Sequence, residues 1–116
     1  MLGNDGYRHL TGIDLDFNTL LSYKIPHPFA CADGLALPFQ DASFEHSLCH
    51  FYLMWVSDPL TALREMARVT SPGGWVLALA EPDYGGRIDH PQIFERLGKM
   101  QTQALHSQGA DVRMGR

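Results

Sequence analysis

Three acidic residues directly follow short apolar stretches of this chain, and carboxylates in such places can bind a ligand. They are Asp14 after residues 12–13, Asp33 after residues 29–32, and Glu81 after residues 75–80. If these stretches are parallel strands, all three carboxylates lie at the carboxyl edge of a sheet, where open α/β sheets bind their ligands. The sequence therefore predicts a ligand site at that edge.

Asp14 closes the first predicted strand, where its carboxylate can accept hydrogen bonds from the two vicinal hydroxyls of a ribose. Hydrogen bonds to a charged group are worth roughly 1.5–3 kcal/mol each. The alternative is that Asp14 caps the helix predicted to begin near Phe17. Because Asp16 is the better placed cap, we favour the ligand role for Asp14.

Asp33 closes the next predicted strand, and its carboxylate can accept the exocyclic amino group of an adenine. The backbone N–H of Gly34 is available to a ring nitrogen, and Leu35 and Phe39 supply an apolar flank. The alternative is that Asp33 forms an Asx turn leading into Gly34, and this is the favoured interpretation when Asp33 is considered without Asp14. Together with Asp14 one strand earlier, Asp33 indicates an adenosine site.

The elements that position these residues alternate between strands and helices. Strands are predicted at 8–13, 29–32, 44–49 and 75–80, and helices at 17–23, at 59–70 after a cap at Asp58, and at 91–109 after a cap at Asp89. Gly73 and Gly74 are expected to stop the second helix, and the apolar strand that follows is typical of one buried on both faces. The pattern predicts an α/β fold with a Rossmann-like, mostly parallel sheet and flanking helices.

The ordered set of segments resembles the class I S-adenosylmethionine-dependent methyltransferases that act on small molecules. The resemblance is carried by Gly12-Ile13-Asp14, Ala32-Asp33-Gly34, Leu37-Pro38-Phe39, Phe44-Glu45, and the helix and turn from Asp58-Pro59 to Pro72-Gly73-Gly74. It covers residues 6–86. It implies S-adenosylmethionine as the cofactor and methyl transfer to a small-molecule acceptor.

The resemblance also implies which residues bind. The cofactor-binding candidates are Asp14, Leu15, Asp33, Gly34, His50 and Phe51, of which the last two match positions near the methionine end of the cofactor. Asp83 and Tyr84 would face the acceptor and orient or deprotonate it. A turn fixed by Pro82 and the following glycines is an equal alternative for that segment. No catalytic base is identifiable.

By the same resemblance, we expect the chain to be a fragment truncated at both ends, with impaired cofactor binding. The family's first strand and glycine-rich turn have no counterpart, since Gly6 looks like a helix cap, and the family's last strands would lie beyond Arg116. We expect a single partial domain, 1–116, with a core at 6–86 and a helical segment at 89–109. The strands at 8–13 and 44–49 would then self-associate, bind a partner that supplies the missing segment, or pair directly with each other.

Composition narrows the function further. Hydrophobic residues make up 45% and charged residues 19% of the 116 residues, and the net charge is −4. The acidic balance argues against nucleic acid and anionic membranes as partners. Cys31 and Cys49 lie in apolar stretches, which indicates a reducing cytoplasm. We expect no metal site, because His46 and His50 are too far apart on a strand and no third ligand is evident.

Two other functions stay open. A nucleotide-binding oxidoreductase shares the acid at the strand end, but the Leu37-Pro38-Phe39 loop and the Pro72-Gly73-Gly74 turn favour a methyltransferase. A non-catalytic remnant or interaction domain would keep the sheet and lose turnover. The missing glycine-rich turn favours this second alternative.

Overall fold

The computed structural model describes residues 10–22, 24 and 27–116, and in them strands alternate with helices as predicted. The elements are β1 (Gly12–Asp14), α1 (Phe17–Ser22), β2 (Phe29–Cys31), β3 (Phe44–His50), α2 (Pro59–Val69), β4 (Thr70–Leu79) and α3 (Gln92–Ser107). Short 3-10 turns, Leu53–Trp55 and Tyr84–Gly86, follow β3 and β4. The chain has the predicted α/β fold. The predicted cap at Gly6, the start of the first predicted strand and the last residue of the first helix, Tyr23, lie outside the described residues.

The strands form two separate parallel pairs, where the sequence predicted one sheet. β1 pairs with β2, so that Asp14 lies opposite Cys31, and β3 pairs with β4, so that His50 lies opposite Leu79. Within the described part of the chain no ladder joins the two pairs. Direct pairing of the first and third predicted strands is therefore not adopted, and no described residue pairs with the second edge of β1 or of β3.

An aspartate side chain caps the N-terminus of each of the first two helices, as the sequence predicts. Asp16 accepts a hydrogen bond from the backbone N–H of Asn18 at 2.9 Å, and Asp58 accepts one from the N–H of Thr61 at 3.0 Å. Pro59 occupies the first turn of α2, where its missing N–H has no helical partner to lose. Both caps satisfy N–H groups that the helix leaves free.

The predicted boundaries between α2 and β4 and before α3 are wrong. The helix ends at Val69, and β4 begins at once and runs through Gly73 and Gly74. A large irregularity in the β3–β4 register, just after Phe44, absorbs the extra residues. Asp89 does not cap α3, because its carboxylate pairs with a neighbouring arginine at 3.0 Å and the helix begins after the next two residues without a side-chain cap.

β4 is exposed on one face, contrary to the prediction of a strand buried on both. Trp75, Leu77 and Leu79 are 66%, 38% and 43% exposed. The other side of the β3–β4 pair faces α2, where Ala62 and Met66 are buried. An apolar stretch looks the same in sequence whether one or both of its faces are covered, so the pattern could not reveal the open face.

The longest described helix, α3, also leaves its apolar side exposed. Its exposed apolar side chains are those of Ile93, Phe94, Leu97 and Met100. The tail after α3 is better anchored, because Ala110 and Val112 are buried and the N–H of Asp111 donates to the carbonyl of Met54 at 2.7 Å. None of the helices within the described ranges is long and apolar enough to cross a membrane.

A charged cluster on α2 holds the loop that follows β2. The guanidinium of Arg68 donates to the carbonyls of Phe39 at 2.8 Å and Leu37 at 3.0 Å, and it pairs with Asp41 at 2.8 Å. Glu65 pairs with Arg68 at 2.7 Å and accepts the N–H of Leu37 at 2.8 Å. Charged side chains thus replace the backbone partners that regular structure would give this loop.

We expect Glu65→Gln to destabilise the protein at neutral pH and to have less effect in acid. The hydrogen bond from Arg68 lowers the pKa of Glu65 from 4.5 to about 2, with help from the N–H of Leu37. Because the folded state favours the ionised carboxylate, its stabilisation is complete above the unfolded pKa and is lost as the pH falls toward the folded value. Urea unfolding of both proteins across this range measures the difference. A difference in free energy of unfolding that stays constant from neutral pH to about pH 2 would contradict this interpretation.

We expect the isolated chain to associate in solution. Open edges on β1 and β3 and the exposed apolar sides of β4 and α3 leave more apolar and hydrogen-bonding surface than a small monomer usually shows. Sedimentation velocity should give species heavier than the 13.0 kDa monomer. A single monomeric species at all concentrations would rule out self-association and leave a separate partner.

Candidate functional site

A cleft of about 880 Å³ lies between the two strand pairs. Its lining comes from β1 and the residue after it, from the loop after β2, and from β3 with the segment that follows it. The cleft includes the carboxyl ends of β1 and β3, which is the edge where parallel sheets bind ligands. Its volume is in the range of small-molecule sites.

Asp14 and Asp33 both line this cleft, as the sequence predicts. Asp14 ends β1, and Asp33 comes two residues after the end of the neighbouring strand β2. The N–H of Ala32 donates to the carbonyl of Asp14 at 3.0 Å, so the two strand ends are bonded to each other. The parallel pairing therefore brings the two acidic residues to adjacent positions beside one cavity.

One oxygen of each carboxylate stabilises a local turn. Oδ1 of Asp14 accepts the N–H of Asp16 at 2.9 Å, and Oδ1 of Asp33 accepts the N–H of Leu35 at 2.8 Å. The bond to Asp33 is the Asx turn proposed as the alternative for that residue, whereas the alternative proposed for Asp14, a cap of α1, is a role that Asp16 takes. An ionised carboxylate offers about four acceptor positions, so a turn bond leaves room for a ligand. For both residues, Oδ2 has no hydrogen-bond partner among residues 10–22, 24 and 27–116.

Leu15 and Gly34 also line the cleft, together with an apolar flank. Leu15 is 69% exposed, and its carbonyl accepts a weak bond from the thiol of Cys31 at 3.4 Å. The apolar flank consists of Leu35, Leu37 and Phe39, with Met66 and Val69 from α2 behind it. The charged cluster on α2 thus holds a loop whose side chains form one wall of the cleft.

Of the two candidates where β3 ends, His50 lines the cleft and Phe51 does not contribute to the lining made by the described residues. Tyr52 contributes in its place. Its ring reaches the loop after β2, because a Cβ atom added to Gly34 would overlap the Tyr52 hydroxyl. Burial and the nearby charge of Asp33 raise the pKa of this phenol. The left-handed conformation of Phe51, with a φ of 53°, ends the regular alternation of side chains after His50, so no pattern in the sequence would have indicated Tyr52.

Asp83 and Tyr84 lie outside the cleft lining formed by the described residues. The carboxylate of Asp83 accepts the N–H groups of Gly85 and Gly86 at 2.9 and 3.0 Å and pairs with Arg116 at 2.7 Å. The hydrogen bond from Arg116 lowers the pKa of Asp83. The contacts of Asp83 are those of the turn proposed as the alternative.

Glu81, the third acid near a strand end, is not part of the cleft lining made by the described residues. Its carboxylate accepts three consecutive backbone N–H groups, those of Tyr52 at 2.7 Å, Leu53 at 2.9 Å and Met54 at 3.2 Å. It therefore caps the 3-10 turn after β3. Nothing in the local sequence around Glu81 indicates this contact, because its partners lie 27 to 29 residues away.

The charge of the lining restricts the ligand. Two carboxylates lie on one wall, and within the described part of the chain no lysine or arginine lines the cleft. The arrangement suits a ligand with hydroxyl and amino donors and a flat apolar surface. It does not suit a diphosphate, which proteins bind with cations and helix N-termini.

Known proteins are similar to part of this sequence. Residues 1–78 match a family described as "Methyltransferase domain". A malonyl-[acyl-carrier protein] O-methyltransferase from Erwinia billingiae is 43% identical over 72 residues, which are 60% of this chain and 29% of that protein. A demethylmenaquinone methyltransferase from Corynebacterium urealyticum is 52% identical over 54 residues, 47% of this chain and 23% of that protein.

One solved structure shares the fold. It is the crystal structure of the [4+2]-cyclase SpnF, which has a TM-score of 0.51 and 29% identity and covers 62% of this chain and 30% of its own. The chain thus spans no more than 30% of the length of any of these three proteins. Since the family match includes two thirds of the 116 residues, the chain belongs to the methyltransferase domain family.

Proposed function

We propose that this chain is part of an enzyme that transfers a methyl group from S-adenosylmethionine to a small-molecule acceptor, and that the cleft binds the adenosine part of this cofactor. The observation that carries the proposal is the placement of Asp14 and Asp33 at neighbouring strand ends beside one cavity. Both have a carboxylate oxygen free of partners among the described residues. Membership of the methyltransferase domain family supports the reaction type.

Each candidate residue has a proposed part in binding. Asp14 accepts hydrogen bonds from the ribose hydroxyls, with Leu15 beside it, and Asp33 accepts the adenine amino group. The N–H of Gly34 donates to a ring nitrogen. His50, on the opposite wall, lies toward the methionine end, and Phe51 stays a candidate only through its position next to His50.

When bound, the cofactor would supply a methyl group on a sulfonium for in-line attack by a nucleophile of the acceptor, with the neutral thioether as leaving group. Such a leaving group needs no proton, so the protein contributes mainly position and exclusion of water. The apolar flank of the cleft can exclude water beside the two carboxylates. Asp83 and Tyr84, held in the turn after β4, would act on the acceptor only if that turn borders it.

The acceptor is proposed as a small molecule. Two relatives are named for malonyl-[acyl-carrier protein] and for demethylmenaquinone. The acidic net charge and the absence of lysine and arginine from the lining made by the described residues disfavour nucleic acid. We further propose a cytoplasmic location and a second copy or a strand-supplying partner at the open edges.

The two alternatives make different demands on the cleft. A nucleotide-binding oxidoreductase would have to hold the diphosphate of its cofactor at the carboxyl ends of the strands. The described lining there has two carboxylates, which repel a diphosphate, and no lysine or arginine. A non-catalytic domain would keep the cleft without binding a nucleoside. The fold alone does not decide the reaction, since a neighbour of this fold is named a [4+2]-cyclase.

We expect Asp14→Asn and Asp33→Asn each to weaken adenosine binding by about tenfold or more, because each removes charge-assisted hydrogen bonds. The measurement is a titration with adenosine followed by amide chemical shifts, which detects even millimolar affinity. Asp111→Asn is the matched control, since Asp111 also holds a local turn, at 3.0 Å from the N–H of Arg113, and does not line the cleft. Equal affinities for the Asp33 variant and the control would contradict the adenosine site.

We expect the 116-residue chain to bind S-adenosylmethionine only in the millimolar range. The cleft lining made by its described residues offers carboxylates for the adenosine part but no lysine or arginine for the carboxylate of the methionine part. Each missing charge-assisted contact costs on the order of 1.5–3 kcal/mol, enough to turn micromolar into millimolar affinity. Calorimetric titration measures the dissociation constant, and a submicromolar value would refute this expectation.

A further inference from the structure

The backbone that follows β3 is held by the side chain of Glu81, which lies two residues after the end of β4. Both oxygens of the Glu81 carboxylate are used, Oε1 by the N–H groups of Tyr52 and Leu53 and Oε2 by that of Met54. Three charge-assisted bonds to consecutive amides fix the direction in which this segment leaves the strand. Leu53 and Met54 are buried next to this contact, so the segment is anchored on its other side by packing.

The backbone on both sides of this contact is strained. Phe51 and Ala80, the residues that directly follow β3 and β4, have φ values of 53° and 56°. Side chains other than glycine adopt such left-handed conformations rarely and only where the surroundings enforce them. The N–H of Phe51 donates to the carbonyl of Leu79 at 2.9 Å, which joins the two strand ends. The bonds to Glu81 are the next contacts along the chain, and they oppose relaxation of this turn.

The turn directs one side chain across the cleft. Tyr52 is half-buried, lines the cleft, and reaches the backbone of Gly34 so closely that a Cβ atom there would overlap its hydroxyl. The phenol is also close enough to Asp33 for the carboxylate to affect its ionisation. Tyr52 is therefore the aromatic residue beside the carboxylate proposed to hold adenine.

We propose that Glu81 is a positioning residue for the nucleoside end of the cleft. By holding the turn after β3, it sets the ring of Tyr52 against Gly34 and Asp33, where the ring contacts the purine of a bound nucleoside. This inference rests on the proposed function, because the nucleoside is the adenosine part of the cofactor. Glu81 itself lies outside the cleft lining made by the described residues and acts only through Tyr52.

The chemistry of the ring fits this position. A phenol presents an apolar face on which a purine can stack. Replacing such an aromatic side chain by alanine commonly lowers the binding affinity for the base by a measurable amount. Its hydroxyl is a donor next to an acceptor carboxylate. The same end of the cleft thus offers a flat surface, an acceptor in Asp33 and an N–H in Gly34.

The first test compares Glu81→Gln with the unchanged chain by nuclear magnetic resonance. Glutamine keeps the shape but has one acceptor oxygen, so it cannot hold all three N–H groups. We expect the contact between the Tyr52 ring protons and the Gly34 α-protons to be lost, and adenosine affinity to fall by about tenfold. An intact contact together with affinity within about twofold of the unchanged chain would overturn the proposal.

Asp58→Asn is the matched control. Asp58 also accepts a backbone N–H, that of Thr61 at 3.0 Å where α2 begins, and it is not part of the cleft lining made by the described residues. It should lose stability in the same way while the Tyr52 contact and adenosine affinity stay unchanged. If both variants lose affinity equally, the effect of Glu81 is general destabilisation and the proposal fails.

Two Tyr52 variants test the contact should Glu81→Gln not fold. We expect Tyr52→Ala to weaken adenosine binding about tenfold and Tyr52→Phe, which keeps the ring, by about twofold or less. Equal affinity of Tyr52→Ala and the unchanged chain would overturn the contact. If the unchanged chain shows no adenosine-induced shifts at Asp14 or Asp33, the proposed function fails. If it shows them and the Tyr52 and Glu81 variants bind normally, only this inference fails.

Discussion

Parallel pairing of the strands decides where each candidate residue lies. In a parallel pair both strands end at the same edge, so Asp14 at the end of β1 and Asp33 just after β2 meet beside one cleft. The same rule brings the segment after β3 next to the segment after β4, where Glu81 meets the N–H of Tyr52. Residues far apart in sequence become neighbours because each pair shares one direction, and an antiparallel pairing would have placed them at opposite edges.

Carboxylates then stabilise the irregular backbone at these strand ends. Regular pairing stops there, and the free N–H groups need acceptors. Asp14, Asp33 and Asp83 each accept amides two or three residues ahead, and Glu81 accepts amides of another segment. The positively charged Arg68 satisfies acceptors instead, because it donates to carbonyls of the loop after β2. The loops that form the cleft are therefore fixed by charged side chains, which explains why they keep definite positions without strands or helices of their own.

The sequence predicted the elements well because their signals are local. The signals for the caps at Asp16 and Asp58 and for the strands β2 and β3 depend on neighbouring residues, and the structure confirms these elements. The division into two strand pairs and the open face of β4 depend on which elements cover which, and a single strand's pattern does not contain that information. The parts played by Tyr52 and Glu81 depend on contacts across 18 and 27 to 29 residues, so only the fold reveals them.

The turn and ligand interpretations of the acidic residues are compatible, because one carboxylate can serve both. A hydrogen bond that Oδ1 accepts from a backbone N–H fixes the orientation of the side chain, and the remaining oxygen is then available to a ligand at a low cost in entropy. Two such carboxylates beside a cleft without lysine or arginine in its described lining make its potential negative. A cationic sulfonium is attracted to such a place, whereas the diphosphate of a dinucleotide is repelled by it, with a Coulomb energy of about 1 kcal/mol even in water at close range. Either cofactor would use these carboxylates to hold a ribose. Their negative charge nevertheless favours the cationic S-adenosylmethionine over a nicotinamide dinucleotide, whose diphosphate is anionic.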